Sequence, residues 1–310
     1  MINSVDSELL AEVTRDDVVE SQHRGYLVLL NADGTLKLAK GDPEVLIYPR
    51  SSIKSIQASA MVRAGLDLEP RLLALVASSH SGSPMHQNAV LEILALGGID
   101  ESALLNTRDR PLGDDERRDW GSKPPTSLAQ NCSGKHAGML LTCVINKWPT
   151  HNYLDPGHPL QVMCRLELER LAGEEVLLTS IDGCGAPLFL ITLMGLAKSI
   201  HHITVSQDRI HRGILQACRD FPEMVAGKGR LTTRKMSEVE GLFMKEGAEG
   251  VNIGSMPDGR TFALKIEDGS SRAIGVLVVA ALEEFGIISP AENNTIYGGN
   301  REVGTIRANL

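Results

Sequence analysis

The chain has 310 residues, 42% of them hydrophobic and 23% charged, values ordinary for a globular protein built as one large domain or two packed ones. Its formal charge of -8 argues against nucleic acid or an anionic membrane as a partner, and no apolar run approaches the ~20 residues that a bilayer demands. The stretch Met1 to Glu8 lacks a basic segment followed by an apolar one, and the cysteines are five and sparse, so the expected location is the reducing cytoplasm.

In chain order, residues 9–49 read as strands, with a hairpin whose arms are Tyr26–Leu30 and Thr35–Leu38 around Asp33-Gly34. A helix is expected over 51–64, after Pro49 and before Gly65. Glu69-Pro70 starts a second helix, through Ala77, and Pro84 a third, through Leu96, closed by Gly97-Gly98. Residues 106–130 are polar and aperiodic, with Pro124-Pro125 near their end. They read as a loop over the site, a link between lobes, or a solvated insertion. Further helices are expected over 132–148, 158–172 and 206–219, and through Leu188–Ile191. Val251–Gly254, Thr261–Ile266 and Asn294–Ile306 read as strands, with one long helix over 271–286 between them. Strands at both ends of a helical middle predict an α+β fold. It would be a single compact unit with a sheet lobe from about 1–75 and 240–310, and a largely helical lobe at about 76–239.

Three places carry candidate chemistry in sequence order. Ser51-Ser52-Ile53-Lys54 is a Ser-x-x-Lys motif at a helix start. Residues three apart share a helix face, so Ser51 Oγ and Lys54 Nζ are expected to meet at the first turn. A serine needs a base to become a nucleophile, and a lysine serves when burial or a second cation lowers its pKa. The alternative is a capping serine followed by a surface lysine. Ser79, in Ser78-Ser79-His80-Ser81, offers a second hydroxyl that could pass protons, or it is one of a run of turn serines. Lys245-Glu246-Gly247 offers an ammonium for a substrate carboxylate, with the glycine admitting the substrate backbone, or a surface lysine at a helix end. The order Ser-x-x-Lys, serine loop, Lys-x-Gly is that of the active-serine β-lactamases and penicillin-binding proteins. The middle motif departs from theirs, because no Ser-Asp-Asn occurs in this loop.

A fourth feature is Asn131-Cys132-Ser133-Gly134-Lys135-His136 together with Asp182-Gly183-Cys184-Gly185. Two thiolates from separate loops could bind zinc with nitrogen or oxygen ligands, His136 or Asp182 being the usual kinds. The alternatives are two buried free cysteines, or one thiolate nucleophile with His136.

These residues, with Pro49-Arg50-Ser51-x-x-Lys54, Pro222-Glu223-Met224-Val225-Ala226-Gly227-x-Gly229-Arg230, Lys245-x-Gly247-Ala248 and Lys265-Ile266-Glu267-Asp268-Gly269, resemble the Rhizobium-type L-asparaginases of the asparaginase II family. The blocks span almost the whole chain in order. The resemblance implies a fold like the serine β-lactamases and glutaminases, an antiparallel sheet flanked by helices, and a homodimer. It implies two catalytic pairs, Ser51 with Lys54 and Ser79 with Lys245. It also implies a zinc ion held by Cys132, Lys135 and Cys184, and substrate contacts from Arg50, Asp182 and His80. The activity so implied is hydrolysis of L-asparagine, and of L-glutamine as a side substrate. The competing readings are a penicillin-recognising acylase and a non-catalytic binding relative.

Overall fold

A computed structural model of the chain describes residues 6–310. The expectation of a leaderless N-terminus rests partly on Met1–Val5, outside the described residues. Among the described residues no helix is long and apolar enough to cross a membrane.

The larger sheet takes its strands from both ends of the chain. From the front come β1 (Glu8–Arg15), β2 (Val18–Leu30) and β3 (Leu36–Lys40). A short β4 (Leu46–Ile47) pairs with β6 (Pro187–Thr192), and β5 (Leu178–Ile181) pairs with β6 on its other side, giving a separate three-stranded sheet. Late strands β7 (Phe243–Glu246), β8 (Val251–Ser255) and β9 (Thr261–Ile266) join the large sheet, as do β10 (Thr295–Gly298) and β11 (Arg301–Ala308). Its order is β10-β11-β1-β2-β9-β8-β7, with β3 hydrogen-bonded to β2, and every pairing is antiparallel. Tyr26–Leu30, β8 and β9 are buried at every position, so these central strands are covered on both faces.

The helices are α1 (Lys54–Arg63), α2 (Pro70–Val76), α3 (Pro84–Leu96), α4 (Asp114–Trp120), α5 (Ser133–Ile145), α6 (Pro159–Ala172), α7 (Leu193–Val205), α8 (Arg209–Asp220), α9 (Pro222–Val225), α10 (Leu231–Glu238) and α11 (Ile274–Glu284). Helix α7 lies against β2, β8 and β9, and α11 against β11. Lys54 to Met61 of α1 are all buried, so α1 runs through the middle of the molecule, between α6, α8 and α5.

Three expectations are corrected. Leu188–Ile191 is strand β6, not helix. The helix starts at Leu193, where Thr192 Oγ1 accepts the Gly195 N–H at 2.8 Å and stops the strand. Residues 106–130 hold one helix, α4, with three acids in its first turn and two arginines in its last, the arrangement a helix dipole favours. The helix expected over 51–64 is a tight 3-10 turn at Arg50–Ile53 followed by α1.

Candidate active site

Backbone hydrogen bonds from distant elements hold the segment after α2. Ser79 N–H donates to Val225 O at 2.9 Å, and His80 N–H donates to Asn131 O at 3.1 Å. These bonds fix Ser79 between the start of α1 and the end of β7. Lys54 Nζ donates to the Ser78 carbonyl, to Ser79 Oγ at 3.2 Å and to Cys132 Sγ at 3.1 Å. Lys245 Nζ reaches the same hydroxyl from the other side, at 2.9 Å, and also donates to the Glu246 carbonyl. One serine hydroxyl thus stands between two amines that are each 1% exposed. Burial pushes the Lys245 pKa down to about 7, and the charge of Lys54 adds to the effect.

Ser51 is 9% exposed and lines, with Ser79, a cavity of about 580 Å³. The expected contact between Ser51 Oγ and Lys54 Nζ is not formed. An ammonium has three N–H donors, and those of Lys54 are directed at Ser78, Ser79 and Cys132, while Ser51 Oγ has no hydrogen-bond partner among the described residues. The turn that carries Ser51 is pressed against the end of β7. A Cβ on Gly247 would stand 2.7 Å from the Pro49 carbonyl oxygen. The glycine of Lys-x-Gly admits this chain's own backbone, and it also lines the cavity.

Arg50 adopts a left-handed φ of 53°, uncommon for a residue with a side chain. Its Nε donates to Asp182 Oδ1 at 2.7 Å, and Glu249 lies 3.8 Å from its Nη1. Burial would raise the Asp182 pKa, but the charges of Lys135 and Arg50 hold it below the ordinary value. His80 is fully buried, stacked on His86 with ring centroids 5.0 Å apart and 2.9 Å from Ser133 Oγ. Burial drives its pKa well down. It does not line the cavity, and its Nδ1 is buried with no partner among the described residues.

Behind the two amines, Cys132, Lys135 and Cys184 converge, each at most 3% exposed. The two thiols are within hydrogen-bonding reach of each other, and Lys135 Nζ lies 3.4 Å from Cys184 Sγ. The neighbouring thiol and burial raise the Cys132 pKa, whereas Cys132 and the charge of Lys135 hold Cys184 below the ordinary thiol value. Burial would lower the Lys135 pKa, but the charges on Cys184 and Cys132 raise it. Among the described residues no three His, Cys, Asp or Glu side chains gather where a metal would sit. The donor set here is a different one, two sulfurs and an amine, buried and borne on separate elements. In donor type and burial it fits zinc, provided that Lys135 gives up its proton. His136, the more usual nitrogen ligand, has its Nδ1 2.8 Å from Tyr153 Oη, and its Nε2 is buried with no partner among the described residues.

The sequence reading gave no role to Arg230, Glu246 or Asn131, all of which line the cavity. Arg230 and Glu246 form an ion pair on its wall. The signal available was position: each of the three lies inside or beside a motif already singled out.

Two buried amines surround one hydroxyl, and a second hydroxyl lines the same cavity. The sequence model of the L-asparaginase II family matches residues 11–307, and the chain belongs to that family, one of amide hydrolases. No curated protein matches the chain. Solved structures with a similar outline include Mglu in its native form, at 14% identity and TM-score 0.47, covering 85% of this chain. The chain spans 64% of the length of that protein. A β-lactamase from Mycobacterium bovis is similar at 12% identity and TM-score 0.46, covering 84% of this chain and 94% of its own. A Bacillus glutaminase is similar at 13% identity and TM-score 0.36, covering 85% and 91%.

Proposed function

We propose that this chain hydrolyses the side-chain amide of L-asparagine to aspartate and ammonia through an acyl-enzyme on Ser51. The observation that carries the reading is the position of Ser79 Oγ, 2.9 Å from Lys245 Nζ and 3.2 Å from Lys54 Nζ, on the wall of the cavity that Ser51 lines. Ser51 Oγ has no hydrogen-bond partner among the described residues to give up, so it is the hydroxyl free to meet the amide carbon. Ser79, tied to both amines, is the proton conduit. Lys245, with a pKa near 7, takes the proton by way of Ser79 and returns it to the departing nitrogen. Lys54 had been expected to be the base. Its hydrogen bonds suit it instead to hold Ser79 in line. The Ser51 N–H, at the start of its turn, is our candidate donor to the oxyanion. Water then reverses the sequence and frees aspartate.

Arg50 and Asp182 would orient the amino-acid end of the substrate. Cys132, Lys135 and Cys184 would hold a zinc ion, which when bound supplies a fixed positive charge beside that end. L-glutamine is a side substrate, since one methylene is worth only ~1–3 kcal/mol of discrimination. A homodimer in the cytoplasm completes the proposal, and sedimentation equilibrium tests the dimer.

The experiment is ammonia release from asparagine, with and without a chelator, beside a metal analysis of the purified protein. We expect ammonia, stoichiometric zinc, and a raised KM after chelation. No ammonia from asparagine rejects the activity. Unchanged kinetics in metal-free protein reject the zinc. Hydrolysis of nitrocefin in place of asparagine would move the chain to the penicillin-recognising reading.

A further inference from the structure

The cavity in front of the two serines is too large for the leaving group of asparagine. Ammonia is about the size of water, whose share of the liquid is about 30 Å³. The cavity measures about 580 Å³, within the range of roughly 300–1,000 Å³ that holds drug-sized ligands. Its lining places that room relative to the chemistry. Ser51 and Ser79 line it, whereas Arg50, Asp182, Cys132, Lys135 and Cys184 do not. If the amino-acid end of the substrate lies toward Asp182, as proposed above, the scissile amide nitrogen faces the open volume.

The walls there suit an organic substituent. Leu112, Leu231, Val251 and Ile274 supply apolar surface that asparagine alone would leave unused. Among the described residues Arg230 is the one cation on the lining, beside the carboxylates Glu246 and Glu249. Glu246 engages only the Arg230 Nη2, and Nε is buried with no partner among the described residues. A guanidinium has five N–H donors in a fork matched to a carboxylate, so the donors on the cavity side that Glu246 leaves unused can take a second acceptor.

Resting on the asparaginase reading of this site, we infer that the chain also cleaves β-aspartyl peptides, amides of the aspartate side chain whose leaving group is an amino acid with an apolar side chain. Arg230 receives the leaving amino acid's free carboxylate, and the four apolar residues receive its side chain. The step balances as ordinary hydrolysis. The bond from Ser51 Oγ to the β-carbonyl carbon forms, the carbon–nitrogen bond breaks, and the α-amine of the leaving amino acid takes the proton passed through Ser79. Water then releases aspartate.

The test uses the full chain with three substrates: asparagine, β-aspartyl-leucine and β-aspartyl-leucinamide. We expect leucine release at a kcat/KM no lower than about a tenth of that for asparagine. We also expect the free acid to be preferred over the amide by about tenfold or more, the worth of one charge-assisted hydrogen bond. In Arg230→Ala and Arg230→Gln that acid-to-amide ratio should fall to about one. Where neither variant folds, the wild-type ratio decides. Asparagine turnover with β-aspartyl-leucine neither cleaved nor competing overturns this inference and leaves the asparaginase reading standing. Turnover of none of the three overturns both. A ratio of one in the wild type, a ratio unchanged by the substitutions, or an asparagine KM raised as much as that of the dipeptide overturns the assignment of Arg230.

Discussion

At Glu167 every buried charge meets its opposite. The carboxylate, 6% exposed, accepts from Ser59 Oγ at 2.9 Å, Arg63 Nε at 3.2 Å and Arg170 Nη2 at 2.9 Å, and His211 Nε2 lies 2.8 Å away. Burial would raise its pKa, but the bonds from His211, Arg170 and Ser59 hold it well below the ordinary carboxylate range. Around Ser79 the arrangement is inverted, with two amines crowding one neutral hydroxyl and no carboxylate bonded to either. The first cluster ties α1, α6 and α8 together. The second keeps an amine short of its preferred proton, a state that costs stability and is maintained by the surrounding fold. Buried charge closed by opposite charge is structure here, and buried charge left facing its own kind is chemistry.

That contrast can be broken most decisively at Ser51. Replacing it with alanine should lower kcat for asparagine by about 10³-fold or more with the thermal midpoint unchanged, because Ser51 lines the cavity and its hydroxyl has no hydrogen-bond partner among the described residues. A variant with near-normal turnover would move the nucleophile elsewhere. Glu167→Ala should do the reverse. Removing one partner of a buried ion pair costs about 3–5 kcal/mol, so the urea midpoint should fall sharply while kcat/KM of the protein still folded stays close to wild type. A large kcat loss without a stability loss would erase the distinction between the clusters.

Next comes pH. Lys245 must be neutral to accept a proton, and its pKa is about 7. Activity should therefore be present above that value and fall about tenfold per pH unit below it. Lys245→Met should lower kcat by about 10²–10⁴ and flatten what remains of that limb. A limb that survives the substitution belongs to another group. The smallest effect is expected at Gly247. Alanine there must displace the Pro49 carbonyl, 2.7 Å from the new carbon, at about 1–3 kcal/mol of overpacking. It should disturb activity through the Ser51 turn more than it disturbs the far cluster, and chemical denaturation read beside turnover checks this.

The candidate site was legible in the sequence to the extent that local motifs carry it. Ser51, Lys54, Ser79 and Lys245 were all singled out, and the structure gathers them. The resemblance implied the contact of Lys245 with Ser79, which is formed, but the partner of Lys54 was not legible. Spacing on an ideal helix sent Lys54 to Ser51, whereas the 3-10 turn and the Ser78–Ser79 bend, fixed by Val225 and Asn131, send it to Ser79. No local rule can see an acceptor brought in from another element. The same limit explains Leu188–Ile191, a four-residue apolar run with no period to separate strand from helix. The α+β class was legible because the alternating strands sit at both ends of the chain. In 106–130 the helix escaped notice for want of an apolar stripe, although its charges ran in dipole order from Asp114 to Arg118.

The large sheet joins β1 to β11 through Val13 and Ile306, and β1 has β2 on its other flank. A ribosome makes β1 and β2 first and delivers residues 301–308 long afterwards, so through most of synthesis β1 presents a bare edge of the kind that invites wrong partners. Ser51 and Ser79 emerge equally early and wait for Lys245. On the proposed mechanism the nascent chain is inert until Lys245 has emerged, and the edge of β1 stays open until the last strand arrives.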